Sequence, residues 1–329
     1  MHSAIHVENL TRTFTRRGMA PFHALRGINF DVSWGEIFGL LGPNGAGKTT
    51  TIKIMSTLLL PTSGHVMVAG MDVEREYTHV RPFISLISGG ETSGYGVLRV
   101  EEQLWMFSQF YGMETPVARG RIEHYLRLVG MWDDRHQQMN RLSTGMRQKV
   151  NLVRGLVTDP KVLFLDEPTL GVDVEASVVI RGIVRDWVQE QPERTVILTT
   201  HYMAEADELC SRVAIINRGL ILANAAPAQL KQGLDNRAHY EITIDHISQE
   251  QVDSIAAELG DGNDFTLAAD RVTNSPMLIV HLTSEGYISR LIASLAQRSV
   301  SVEYMRKLEP TLEDVFLKMV GKRFEDEEE

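Results

Sequence analysis

The sequence predicts an α/β fold organised around a phosphate-binding loop, and three stretches carry that prediction. The apolar run Ile37-Phe38-Gly39-Leu40-Leu41 reads as a buried strand and Ile52-Lys53-Ile54-Met55 as an opening helix, with Gly42-Pro43-Asn44-Gly45-Ala46-Gly47-Lys48-Thr49-Thr50 between them. That is the strand–loop–helix context of a P-loop. Its glycines let the backbone wrap an anion so that successive N–H groups point inward, and the helix adds its positive dipole end. Lys48 is placed to reach β- and γ-phosphates, and the Thr49 hydroxyl to sit on Mg²⁺. A second apolar run, Val162-Leu163-Phe164-Leu165, ends on the adjacent carboxylates Asp166 and Glu167. A third, Thr195-Val196-Ile197-Leu198-Thr199-Thr200, ends at His201. Continuous apolar runs of this length suit the buried strands of a parallel sheet, whose carboxyl ends gather ligands.

Bulk properties bound the rest. A chain of 329 residues is long enough for two units, one large and one small. Its 33 basic against 43 acidic residues give a net charge of −10, so no excess positive field exists for gripping nucleic acid. Glu325-Asp326-Glu327-Glu328-Glu329 contributes part of that charge and reads as a solvated tail. The single Cys210 excludes an intrachain disulfide and any multi-cysteine metal site, fits a reducing cytosol, and suits a small buried position. Met1-His2-Ser3-Ala4-Ile5-His6 has no apolar signal core, and nowhere do about 18 uncharged apolar residues run together. Any work at a membrane therefore calls for a separate partner.

Along the chain, residues 5–7 and 25–32 alternate as strands, with Arg16-Arg17-Gly18 a loop between them. Phe14 has two readings, a strand aromatic packed on the core or a platform for a purine ring. A helix is expected over 49–60, closed by Pro61, followed by a hairpin of His65–Val68 and Met71–Val73 bending at Ala69-Gly70. Ile84–Ile87 is a short strand, and Ser88–Gly94 is loop by composition. From Val100 to Val150 the pattern turns helical: Leu104, Phe107 and Tyr111 share one face, as do Ile122, Tyr125, Leu126 and Val129, and these aromatics read as core. A further helix starts near Ser143, with Ser143 or Thr144 as its cap. Its small, hydroxyl-bearing start is either ordinary capping or a second phosphate site. Asp166 has the place of a residue that holds Mg²⁺ through water, and Glu167 that of a base for the attacking water. His201, on the same sheet edge, is in reach of a γ-phosphate. Residues 174–190 make another helix.

These elements stand in one order: the Gly42–Thr50 loop, Leu142-Ser143-Thr144-Gly145-Met146, the Asp166-Glu167 strand, Leu170-Gly171-Val172-Asp173, and His201. Over residues 5–228 the chain resembles the ATP-binding subunit of ABC transporters, which implies a P-loop NTPase (RecA-like) core with a helical subdomain, here about 92–150. The resemblance makes Gly42–Thr50 Walker A, Val162–Asp166 Walker B, Glu167 the catalytic glutamate, Leu170–Asp173 the D-loop and His201 the switch histidine. It also puts Phe14 where the family stacks adenine. Lys48, Glu167 and His201 are then catalytic, with Thr49 and Asp166 holding Mg²⁺. The rest of the loop (Gly42, Pro43, Asn44, Gly45, Ala46, Gly47 and Thr50) cradles ATP.

Ser143, Thr144, Gly145 and Met146 match the family signature LSGGQ with departures at Thr144 and Met146. By the family's logic they close over ATP held by a second subunit, alongside Asp173. One set of motifs per chain implies a head-to-tail dimer, homo- or heteromeric, around two Mg-ATP. The Ser-Thr-Gly-Met variant resembles the multidrug and daunorubicin-resistance branch, whose separate membrane subunits are of the ABC-2 exporter type. That branch implies an ATPase at the cytoplasmic face of the membrane exporting a drug or other amphipathic compound. A mechanical or regulatory ABC protein that moves no substrate is the alternative. A soluble ABC protein of translation or repair is disfavoured because a second nucleotide module and a coiled-coil insertion are both lacking, and a GTPase by Leu142–Met146. The family's Q-loop glutamine falls on Gly89. Either Glu91 or a bridging water takes over its metal contact, or Glu91 simply faces solvent.

Beyond a linker at 229–238, residues 239–322 read as an α+β unit with the order β-α-β-β-α-β, a ferredoxin-like sandwich. Tyr240, Ile242 and Ile244 open it, Phe265–Ala268, Met277–Leu282 and Val300–Met305 supply the other strands, and Thr311 caps a final helix to about Val320. This unit carries no catalytic constellation. Dimer contacts or regulation is its expected role, and 323–329 is the acidic tail.

Overall fold

The computed structural model describes residues 3–18, 20–89, 95–233, 238–260, 262–269 and 275–320. Its chain divides into two compact units, the first reaching Pro227 and the second running from Ala228 to Lys318.

The first unit opens with strands β1 (Ile5–Phe14) and β2 (Phe22–Val32), then β3 (Ile37–Leu41) and helix α1 (Lys48–Met55). The hairpin of β4 (Ser63–Val68) and β5 (Met71–Asp72) turns through Ala69 and Gly70, both at positive φ. Helix α2 (Tyr77–Val80) and β6 (Ile84–Ser88) follow, then the helices α3 (Val100–Phe110), α4 (Thr115–Leu128) and α5 (Thr144–Val157). The chain returns through β7 (Val162–Asp166), α6 (Val174–Glu190), β8 (Thr195–Thr200), α7 (Met203–Leu209), β9 (Arg212–Asn217) and β10 (Leu220–Ala225), and α8 (Pro227–Gln232) begins at the boundary with the second unit. Among the described residues no helix is long and apolar enough to cross a membrane.

Two sheets result. An antiparallel sheet has the order β2-β1-β4-β5, and a second has the order β10-β9-β3-β8-β7-β6, parallel except for β10. Every residue of β3, β7 and β8 is buried, as strands covered on both faces require. Ile52, Ile54 and Met55 of α1 share one core with Val7 and Val66 of the first sheet and Phe38, Leu40 and Phe164 of the second. The helix that follows the phosphate loop is thus clamped between sheets. In register, Leu41 lies beside Thr200, Thr199 beside Asp166, and Asp166 beside Ser88. The carboxyl ends of β3, β8, β7 and β6 therefore come level, and the loops leaving them share one edge.

Three expectations need correction. The helix expected over 49–60 stops at Met55: Thr57 takes φ 63°, and the amides of Leu58 and Leu59 turn back to the Lys53 carbonyl. Tyr111, expected in the core, is 51% exposed just past the end of α3. Buried Gln103 and Ser108 take the inner positions instead. The last strand of the second unit starts at Val302 rather than Val300 and continues to Leu308.

That second unit comprises β11 (Ala238–Ile244), α9 (Gln249–Leu259), β12 (Asp264–Ala269), β13 (Pro276–Leu282), α10 (Tyr287–Gln297), β14 (Val302–Leu308) and α11 (Leu312–Val320). Its antiparallel sheet has the order β12-β13-β11-β14, the topology of a ferredoxin-like sandwich. Ile242, Ile244, Leu278 and Val280 pack against Val252, Ile255, Leu291 and Leu295 of α9 and α10. Ser248 closes a capping box on α9, and Thr311 exchanges hydrogen bonds with Asp314 at the start of α11.

Candidate active site

The loop between β3 and α1 folds as its glycines demand. Gly45 and Gly47 take φ 75° and 114°, and a Cβ on Gly42 would fall 2.1 Å from the Ile216 carbonyl oxygen. Gly47 occupies the N-cap of α1 and offers no side-chain acceptor, so the first-turn amides are left for an anion. Lys48 lies across the loop: its Nζ donates to the carbonyls of Gly42 at 2.6 Å and Pro43 at 3.3 Å, and stands 3.6 Å from Glu167 Oε1.

Three stretches distant in sequence meet here. Thr49 Oγ1 donates to Asp166 Oδ1 at 3.3 Å, and Thr199 donates to the same oxygen. Glu167 is held at φ 53°, in the left-handed region, with its amide donating to the Thr199 carbonyl at 2.9 Å. A non-glycine residue there carries strain that its surroundings sustain. The effect is to aim the Glu167 carboxylate back over the sheet edge, where Oε2 stands 3.3 Å from His201 Nδ1. Lys48 and His201 thus flank one carboxylate from opposite sides.

A hydroxyl and a carboxylate side by side suit Mg²⁺, which takes few protein oxygens and keeps the rest of its shell for water and phosphate. Among the described residues no group of three or more His, Cys, Asp or Glu could hold a metal by itself, so phosphate oxygens would complete the shell.

Gly89 enters the site unexpectedly. Its amide donates to the Asp166 carbonyl at 2.7 Å, extending the β6–β7 ladder by one bond. An ideal Cβ at this position would lie 1.8 Å from the Glu167 carbonyl oxygen. The space a side chain would take here is thus filled by the backbone of Glu167. Glu91 lies outside the described residues.

Ser143, Thr144, Gly145, Met146 and Asp173 form a second cluster. Ser143 caps α5, accepting from the Met146 amide at 3.2 Å, and Asp173 caps α6, accepting from the Ala176 amide at 2.8 Å. A Cβ on Gly145 would meet Asp173 Oδ2 at 2.7 Å, so the two helix starts touch through a glycine. Ser143 and Thr144 are exposed. Phe14 ends β1 at 39% exposure, with the Arg12 guanidinium 4.6 Å from its ring centroid. Cys210 is fully enclosed, and burial pushes its thiol pKa up, as a small core residue requires.

Sequence reasoning missed Thr199, which steadies both Asp166 and the Glu167 amide. It also missed Thr169 and Glu205, joined by a 3.0 Å hydrogen bond beneath the site. A hydroxyl pair closing an otherwise apolar strand, Thr199-Thr200, was the available signal.

A parallel sheet with a phosphate loop, a carboxylate pair and a histidine on one edge defines a P-loop nucleoside-triphosphatase core. The family model described as ABC transporter matches residues 25–170. The daunorubicin resistance ATP-binding protein DrrA2 of Streptomyces coeruleorubidus is 33% identical over 93% of this chain and 92% of its own. A solved ATP-binding subunit of an ABC transporter superposes with a TM-score of 0.63 at 26% identity, covering 70% of this chain and 93% of that one. A dimeric ATP-binding cassette bound to ADP and phosphate shares the fold at a TM-score of 0.62 and 23% identity, over 68% and 98% of the two chains. The chain belongs to the ATP-binding subunits of ABC transporters, and it is an ATPase of that class.

Proposed function

We propose that this chain powers an exporter for a drug or other amphipathic compound, hydrolysing ATP in a head-to-tail dimer that drives a separate ABC-2-type membrane subunit. One observation carries the reading: Lys48, Asp166, Glu167 and His201 converge at one sheet edge, with Glu167 between two basic side chains. Lys48 and the loop amides neutralise charge on the transferring phosphoryl group. Glu167 orients water and takes its proton, and His201 contacts the γ-phosphate. Thr49 and Asp166 would hold Mg²⁺, which supplies further charge neutralisation on the phosphate oxygens. Phe14 offers the adenine a ring face.

The Ser143–Met146 start of α5, exposed at Ser143 and Thr144, and Asp173 supply the lid for ATP held by a second copy. Support for a membrane partner comes from an open groove of about 590 Å³ lined by Leu58, Arg81, Pro82, Ile84, Phe110 and Tyr111. Leu58, Phe110 and Tyr111 are each more than half exposed there, an apolar patch that a partner helix would cover. The relative named for daunorubicin resistance is matched over nearly its whole length, which favours drug export and a place at the cytoplasmic membrane face. The α+β unit is assigned to dimer contacts or regulation.

Thr144→Arg tests the lid. A bulky cation on an exposed first-turn position leaves the phosphate loop untouched but blocks a partner's approach. ATP binding is expected to persist, measured by calorimetry, while hydrolysis is lost. Native turnover in that variant would refute the shared site.

A further inference from the structure

We propose that Glu205 is a positioning residue for hydrolysis, its buried carboxyl tying the loop that leaves Glu167 to the helix that follows His201. Glu205 stands in the first turn of α7 at 5% exposure. Its Oε1 accepts from Thr169 Oγ1 at 3.0 Å, and its amide donates to the Tyr202 carbonyl at 3.1 Å. Thr169 is itself buried and lies two residues past Glu167, while Tyr202 is the residue after His201. One residue thus bonds to a neighbour of the general base and to a neighbour of the histidine.

Local geometry transmits the tie. The Glu167 carbonyl accepts from the Leu170 amide at 3.2 Å, and the Thr169 carbonyl from the Val172 amide at 3.1 Å. Thr169 is therefore embedded in the tight turn that runs from Glu167 to the Asp173 cap. On the other side, the Tyr202 amide donates to Thr200 Oγ1 at 3.0 Å, fixing the turn through His201 into α7. The Glu167–His201 approach of 3.3 Å joins the same two segments at the site itself. Glu205 is the buried counterpart of that contact, on the far side of the loop.

A carboxyl is a costly way to fill space: its Oε2 is buried without a hydrogen-bond partner. Burial accordingly pushes its pKa up, against the opposing pull of the Thr200 and Thr169 hydroxyls. An apolar side chain of similar volume would avoid that penalty and lose the tether. The carboxyl is retained for the Thr169 hydroxyl it accepts from. The strained φ of Glu167 is the kind of feature that persists only when its surroundings over-determine it, and the Thr169–Glu205 bond fixes the loop two residues further on.

The proposal rests on the roles assigned to Glu167 and His201, so the experiment includes Glu167→Gln as a reference. ATPase rate and ATP KM are measured for Glu205→Ala, Glu205→Gln and Thr169→Val. Ala removes the tether to Thr169, and kcat is expected to fall roughly ten- to hundredfold with KM unchanged, as for a group misplaced near the chemistry. Gln keeps an oxygen that accepts from Thr169 and is expected to restore most of the rate. Thr169→Val deletes only the hydroxyl of the loop and should reproduce the loss, which decides the matter even if Glu205→Ala folds poorly. Native kcat in Thr169→Val, a Gln variant as slow as Ala, or a loss confined to KM would each overturn the proposal. If Glu167→Gln also turned over normally, the assignment of the site would fall with it.

Discussion

Glu167→Gln is expected to bind ATP as the native chain does and to hydrolyse it about 10²- to 10⁴-fold more slowly, the usual contribution of a general base. Gln has the same shape and keeps an acceptor oxygen but cannot take a proton from water. The fold has little stake in the charge, because the Glu167 side chain is one-fifth exposed and the residue is held through its backbone amide and the Thr199 carbonyl. The Lys48 ammonium, 3.6 Å from Glu167 Oε1, faces a neutral amide instead of a carboxylate in this variant, which favours an incoming phosphate. Binding is therefore retained or improved while chemistry stops, and ATP-loaded chains should accumulate as a stable dimer on gel filtration. Near-native hydrolysis would remove Glu167 from its role.

Gly89→Ala is the second variant with a large expected effect, and it is specific to this chain. The added Cβ would sit 1.8 Å from the Glu167 carbonyl oxygen, where real contacts stay above 3.0 Å. The obstacle is backbone on both sides: Gly89 is bonded to the Asp166 carbonyl, and Glu167 to Thr199. Relief requires Glu167 to retreat by roughly an ångström, a displacement that can cost about a hundredfold in rate. Overpacking adds about 1–3 kcal/mol of destabilisation, visible as a lower urea midpoint. Gly89→Gln, which restores the residue typical of the family, should be at least as damaging. A Gly89→Ala chain with native kcat would show that the β6 end yields freely and does not set the Glu167 position.

How much of this was legible in the sequence follows from which interactions are local. The phosphate loop, the strand ending at Asp166 and the Ser143 cap are encoded within a few residues each, by glycine, apolar continuity and a short hydroxyl acceptor. The order of the α+β unit was readable for the same reason, since its strands and helices each show their own period. Where helix α1 ends was not. Leu58 and Leu60 continue the apolar spacing, yet the chain must leave the space between the two sheets to begin β4, and Thr57 makes the turn. Tyr111 was misplaced because helical period identifies a face without showing where the helix stops. The contacts that place Thr199, Thr169 and Glu205 at the site span 32 to 36 residues, and no spacing rule reaches that far. Gly89 was visible as a departure, but its reason is a carbonyl on another strand.

The central claim is that each chain supplies half of two shared sites, with Lys48 and Glu167 on one side and Ser143–Met146 on the other. Mixing two inactive variants tests it most directly. A Lys48→Ala chain keeps an intact lid but lacks its phosphate lysine, and a Thr144→Arg chain has the reverse defect. Combined in equal amounts, they can assemble one complete site per mixed dimer, and ATPase activity is expected to reappear from two silent preparations. A mixture as silent as its components, or a Thr144→Arg chain already active alone, would contradict the account.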